Sequence, residues 1–367
     1  MNTPSEETTR ADSGGSSSST VVTVVVALLV VAPIIALDVS PYKADGSLWY
    51  LGMLPVLMGL FVSRRVAFAA AGLTPVIVGI SLLLKDLPPI VGALYMLVLG
   101  AATGLSARRG WHVMMSFAAP LAALALIGTM HVSLPSERVE SASTLGSILA
   151  TMVVLLAGGL WTAVLGPFVI SKVHVSAPAA IPERTSWYFA ASMGGLVGVA
   201  SFVALTWLPP NSWWLVLTMY VVVQPYYAAM LTRVSQRVIG TLVGSTVVAL
   251  VVAALHNLPG LIAALAAVLT LLAAWANLKW PYWVFVTFLT PAVVLQTAGP
   301  TRDVAQAIAD RAMYTLIGAA LAAAVMALGH LNLVRHPHGL PVGAGAAHPE
   351  VSNPESPAAQ ESSAARG

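Results

Sequence analysis

The sequence predicts an all-α integral membrane protein with 12 transmembrane helices, built as two same-orientation six-helix repeats that form a pseudo-dimer. Three observations predict this. Of 367 residues, 58% are hydrophobic and 8% are charged, whereas a soluble domain carries about 25% charged residues. The mean hydropathy of +0.85 excludes a water-soluble globular domain and a disordered chain. Apolar runs long enough to cross a bilayer, about 20 residues each, nearly fill the chain between two polar ends. The text of the first half also recurs in the second at an offset of about 171 residues.

Residues 1–19 are rich in Ser, Thr and Gly and read as a disordered cytoplasmic tail. The run Val21–Leu37 has no clean small-x-small cleavage site and reads as a retained first span. The first unit, 20–170, has spans near 20–38, 48–63, 66–84, 88–106, 111–130 and 144–170. Residues 171–186 form a cytoplasmic linker. The second unit, 187–330, has spans near 187–208, 212–231, 236–255, 259–277, 281–298 and 308–330. Turn residues punctuate them at Asp86-Leu87-Pro88-Pro89, Pro209-Pro210-Asn211 and Asn257-Leu258-Pro259-Gly260. Residues 331–367 read as a disordered cytoplasmic tail.

Basic residues set the orientation. With the N-terminus inside, twelve Lys and Arg fall in cytoplasmic segments and four in outer loops. Both termini are therefore expected in the cytoplasm of a plasma-membrane protein. The basic residues come one or two at a time, so a pI near 9.3 does not predict nucleic-acid binding. Trp49, Tyr50, Trp111, Trp187, Tyr188, Trp213, Trp214, Trp280, Tyr282 and Trp283 crowd the span ends as an interfacial belt.

The repeat is carried by Val113, Phe117, Pro120, Leu124 and Gly128, which match Val284, Phe288, Pro291, Leu295 and Gly299. Each unit holds an even number of spans, so the units share an orientation about an axis along the membrane normal. The interface between the units is the expected place for transport, by alternating access or a central anion pathway; a monomer is sufficient for it, and a homodimer is compatible with it. The expected partners are the lipid bilayer and a small organic anion.

Ionisable and polar groups at membrane depth mark pathways or structural pairs. Arg311 has two readings: an anion contact, or a side chain that snorkels or pairs with Asp310. Its repeat counterpart is Glu140, so an inter-repeat Arg–Glu pair is a further option. Arg65, Arg237 and Arg311 each precede a glycine by seven residues, at Gly72, Gly244 and Gly318, which puts Arg and Gly near one helix face. Gly240 and Thr241 share that face, and the glycines allow close helix packing. The alternative for Arg65 and Arg237 is a topology signal. Gln224-Pro225, followed by Tyr226, interrupts the eighth span, and Thr290-Pro291 with Thr287 does so in the eleventh. Asp38 and Asp310 read as solvated carboxylates or as proton-coupling groups. There are no cysteines, and no nucleotide, metal or nucleophile motif is present. No enzyme activity, cofactor or metal is expected.

Residues 212–244 resemble the fusaric acid resistance protein-like family, which includes aromatic acid exporters. The likeness rests on Trp213 or Trp214 at a helix start, Gln224-Pro225, and Arg237, Gly240, Thr241 and Gly244. Thr290-Pro291 and Arg311 with Leu316-Ile317-Gly318 extend it. The first unit departs from it at Arg65-Val66-Ala67-Phe68-Ala69, and no soluble domain fits between the halves. Plant aluminium-activated malate transporters look like distant relatives. The resemblance implies efflux of organic anions, often aromatic carboxylates, with Arg65, Arg237 and Arg311 lining the path. The alternative is a membrane scaffold or envelope-assembly subunit that does not transport.

Overall fold

Ser63 separates the first two long helices. Its side chain accepts a hydrogen bond from the Val66 backbone N–H at 3.2 Å, the N-cap arrangement that satisfies a free helix-start donor. It divides α1 (Lys43–Leu60) from α2 (Arg64–Leu84). In this computed structural model, residues 43–128, 130, 145–170, 180–223, 225, 227–255, 258, 280–297 and 304–335 are described, with scattered positions in 29–37 and 261–276.

The chain continues through α3 (Pro89–Ser106), α4 (His112–Ile127), α5 (Leu145–Ile170), α6 (Glu183–Trp207) and α7 (Trp213–Val222). It closes with α8 (Tyr227–Leu255), α9 (Tyr282–Thr297) and α10 (Val304–Arg335). Proline opens α3 and precedes α6, a position that needs no backbone donor. Among the described residues there is no strand. Six helices among them are long and apolar enough to cross a membrane, and α1, α4 and α9 contain shorter apolar stretches. The chain is therefore an all-α, multi-pass membrane protein. The described positions in 29–37 and 261–276 are helical. They fall in the expected first and tenth spans.

The sequence and the structure part company at the eighth and ninth spans. No loop separates 231 from 236. Thr232–Ser235 are mostly polar, but they contain neither Gly nor Pro, and the helix runs through them. The break lies earlier, after Val222, where Pro225 cannot donate to a preceding carbonyl. This leaves α7 with ten residues, about 15 Å, half of the hydrocarbon thickness. The last helix also runs on to Arg335 rather than ending at 330.

The most extensive pairing among the described elements is α3 with α6. Small residues permit it: Gly104 abuts Ala190, and Gly100 abuts Met193 and Gly194. Ser186 Oγ donates to the Gly104 carbonyl at 2.8 Å, and the Ile181 N–H donates to the Ala107 carbonyl at 3.1 Å. The Arg108–Glu183 ion pair at 3.0 Å is exposed, so it adds little. At the other end, Lys85 Nζ donates to the Gly128 carbonyl at 3.0 Å, just beyond α4. Partial burial pushes the Lys85 ammonium below its usual pKa, with Asp86 acting against that.

Helix α4 is buried without interruption from Ala118 to Ile127, which fits a short helix that is apolar on every side. A second core joins Tyr50 and Met53 of α1 to Val284, Phe285, Val286 and Leu289 of α9, with Ile34, Ala273 and Ala276. The chain to Val325 forms one compact unit, and Met326–Gly367 forms another. The described part of the latter is helical to Arg335. The remaining tail expectations lie outside the described residues.

Candidate functional site

Among the described residues, Arg237 and Arg311 are the two largest side chains that the fold buries completely, each 1% exposed. Both are placed by glycine seams. On α8, a Cβ at Gly240 would strike the Trp283 carbonyl, and one at Gly244 would lie 2.8 Å from Thr290 Cβ. Helix α8 therefore lies against α9 and carries Arg237 with it. On α10, Gly318 faces the Leu215 carbonyl and Thr218 at 3.1 Å, which brings Arg311 onto α7.

The arginines find neutral partners there. Arg311 Nη2 donates to Thr290 Oγ1 at 3.3 Å, and its Cζ stacks 4.0 Å above the Trp214 ring. Trp213 backs Trp214, with ring centroids 3.6 Å apart. Arg237 Nη1 donates to the Tyr282 hydroxyl at 3.4 Å, and Arg233 stacks 4.0 Å over the same ring. Both hydrogen bonds are long. Among the described residues, Nε and Nη1 of Arg311 and Nε of Arg237 have no partner. The two cations are close enough to repel, and Tyr50 of α1 lies within electrostatic range of Arg311. A buried pair of cations held by hydroxyls and rings attracts an anion.

Several expected site residues are elsewhere. Arg311 neither snorkels nor pairs with Asp310. Asp310 is itself buried and accepts hydrogen bonds from Asn211 Nδ2 at 2.6 Å and Gln306 Nε2 at 2.7 Å. It is therefore not the solvated carboxylate expected. Arg65 is exposed in the first turn of α2, beside the Ser63 cap, and stands outside the packed seam. Arg237 lies well inside α8, which begins at Tyr227. The early start of α8 after the Pro225 break is what carries Arg237 into the seam. Gly72 is exposed, and a Cβ there would meet nothing within 4 Å, so it is not a packing glycine. Thr287 is partly exposed and donates back to the Trp283 carbonyl at 2.9 Å. Pro291 is buried beside Gly244, and Pro225 sits in a bend at intermediate exposure. Gln224, Tyr226, Glu140 and Asp38 lie outside the described residues.

Residues 197–325 match the fusaric acid resistance protein-like family. The matched segment holds Trp214, Arg237, Tyr282, Thr290 and Arg311, every member of the arginine site except Tyr50. Over 132 residues the chain is 32% identical to an uncharacterized protein of Synechocystis sp.; this covers 36% of the chain and 17% of that protein. The chain thus spans only a small part of that relative's length. No solved structure matches the chain.

The sequence marks Tyr282 only as a belt residue, marks Trp214 as a belt residue and a candidate helix-start tryptophan, and gives no prominence to Ser245, which is 7% exposed on α8. The spacing of Arg237, Thr241 and Ser245 by four is the available signal. Thr290→Val removes the hydroxyl that accepts from Arg311. It should destabilise the protein by roughly 1.5–3 kcal/mol, the range for a hydrogen bond to a charged group. Thermal unfolding in detergent measures this, and an unchanged midpoint would remove Thr290 as an anchor.

Proposed function

We propose that the chain is a plasma-membrane exporter of small organic anions, aromatic carboxylates among them, with its pathway where the two halves of the chain meet. The observation that carries this reading is the pair of completely buried guanidinium groups with free N–H donors and neutral partners. Burying a cation without a counter-charge costs several kcal/mol. A passing carboxylate offsets that cost while it occupies the site.

The spacing of the helices supports two repeats of like orientation. Helices α2 and α8 end at Leu84 and Leu255, and α4 and α9 end at Ile127 and Thr297, close to the sequence offset. The pairing of α2 with α4 recurs as α8 with α9. Cytoplasmic termini follow from the excess of Lys and Arg in the inner segments.

Liposomes containing the purified protein and loaded with labelled benzoate test the proposal. They should release the label several times faster than protein-free liposomes. Equal release from the two preparations refutes transport of this substrate class.

A further inference from the structure

Helix α8 carries Arg237, Thr241 and Ser245 at intervals of four. Each step advances about 6 Å and turns about 40°, so the three lie on one stripe about 12 Å long. All three are buried, and Arg237 Nε, Thr241 Oγ1 and Ser245 Oγ have no hydrogen-bond partner among the described residues. Several buried hydroxyls on other helices are satisfied within their own helix. Ser81, Thr103, Thr162 and Thr218 each donate to the carbonyl four residues earlier at 2.8–2.9 Å. Thr74, Ser201, Ser212 and Tyr220 also lack partners, but none of them continues a line from a buried arginine on its own helix, as Thr241 and Ser245 do.

The α8 turn that carries Ser245 is linked to Arg311 through its neighbour Gly244. Gly244 abuts Thr290, whose hydroxyl accepts from Arg311 Nη2. Tyr282 and Thr290, the partners of the two arginines, are eight residues apart on α9, about 12 Å along its axis. The guanidinium groups occupy part of that span. A monoanion held at one end leaves the other cation uncompensated, while a dianion neutralises both.

We propose that this stripe selects organic dianions, holding one carboxylate at Arg237 and the other at Arg311 while Thr241 and Ser245 donate to the carboxylate oxygens that face the stripe. The proposal rests on the anion-export reading and names the substrate class for the same site.

The test measures binding of isophthalate and benzoate to the purified full-length protein, each by displacement of labelled isophthalate or by thermal shift. Isophthalate should bind at least about tenfold tighter, the effect of one further charge-assisted contact. In Arg237→Gln the preference should fall toward one. Thr241→Val, which keeps the side-chain shape, should weaken isophthalate more than benzoate. Equal affinity for the two ligands in the unaltered protein overturns dianion selection and leaves anion binding standing. Binding of neither overturns both proposals. The comparison in the unaltered protein decides the matter even if Arg237→Gln fails to fold.

Discussion

Arg311→Glu should abolish the proposed anion export. The substitution places a carboxylate where Arg311 stacks on Trp214 and reaches Thr290. It removes the attraction for an incoming anion and adds repulsion. The introduced acid also lies within electrostatic range of Arg237 and would neutralise the remaining cation internally. Losing one charge-assisted contact is worth roughly 1.5–3 kcal/mol, about 10- to 150-fold in affinity, and reversal exceeds neutralisation. Flux in liposomes should fall at least about a hundredfold. Arg311→Lys should retain partial flux, because it keeps the charge and loses the planar fork. Wild-type flux in the Glu variant would remove Arg311 from the mechanism.

Gly240→Leu disrupts the seam that positions Arg237. A Cβ at this position would already strike the Trp283 carbonyl and lie 2.7 Å from Val286 Cβ. Backbone cannot rotate away as a flexible side chain can, so α8 and α9 must separate. Overpacking of this kind costs roughly 1–3 kcal/mol, and more against backbone. The melting midpoint in detergent should drop by several degrees, with loss of anion binding. Gly72→Ala is the contrast: that site is exposed with nothing within 4 Å, and alanine favours the helix by roughly 0.5–1 kcal/mol. A Gly240→Leu midpoint equal to wild type would show that close α8–α9 contact is not required.

Most helices are legible in the sequence because apolar runs bounded by Pro and Gly leave few alternatives. The α7–α8 region is not, because polarity at Thr232–Ser235 resembles a loop while the Pro225 constraint acts through one missing donor. At the site, residue type and spacing single out Arg237 and Arg311 with their glycines, but they single out Arg65 with Gly72 equally, and those two are exposed. The partners of Arg237 and Arg311 do not follow from type or spacing. Tryptophan and tyrosine near a helix end satisfy an interfacial belt and a cation–π contact equally well in sequence, and only packing tells Trp214 from Trp187, which is exposed. Likewise, Arg65 and Arg237 each stand seven residues before a glycine, and their burial differs because their helices start at different distances from them.

The α3–α6 seam joins a helix of the first unit to one that begins at Glu183, inside the stretch expected as the linker. Because small residues let the two backbones touch along that contact, severing the connection between them would not release two independent pieces. The two helices are fastened to each other along this contact and must move as a single lever.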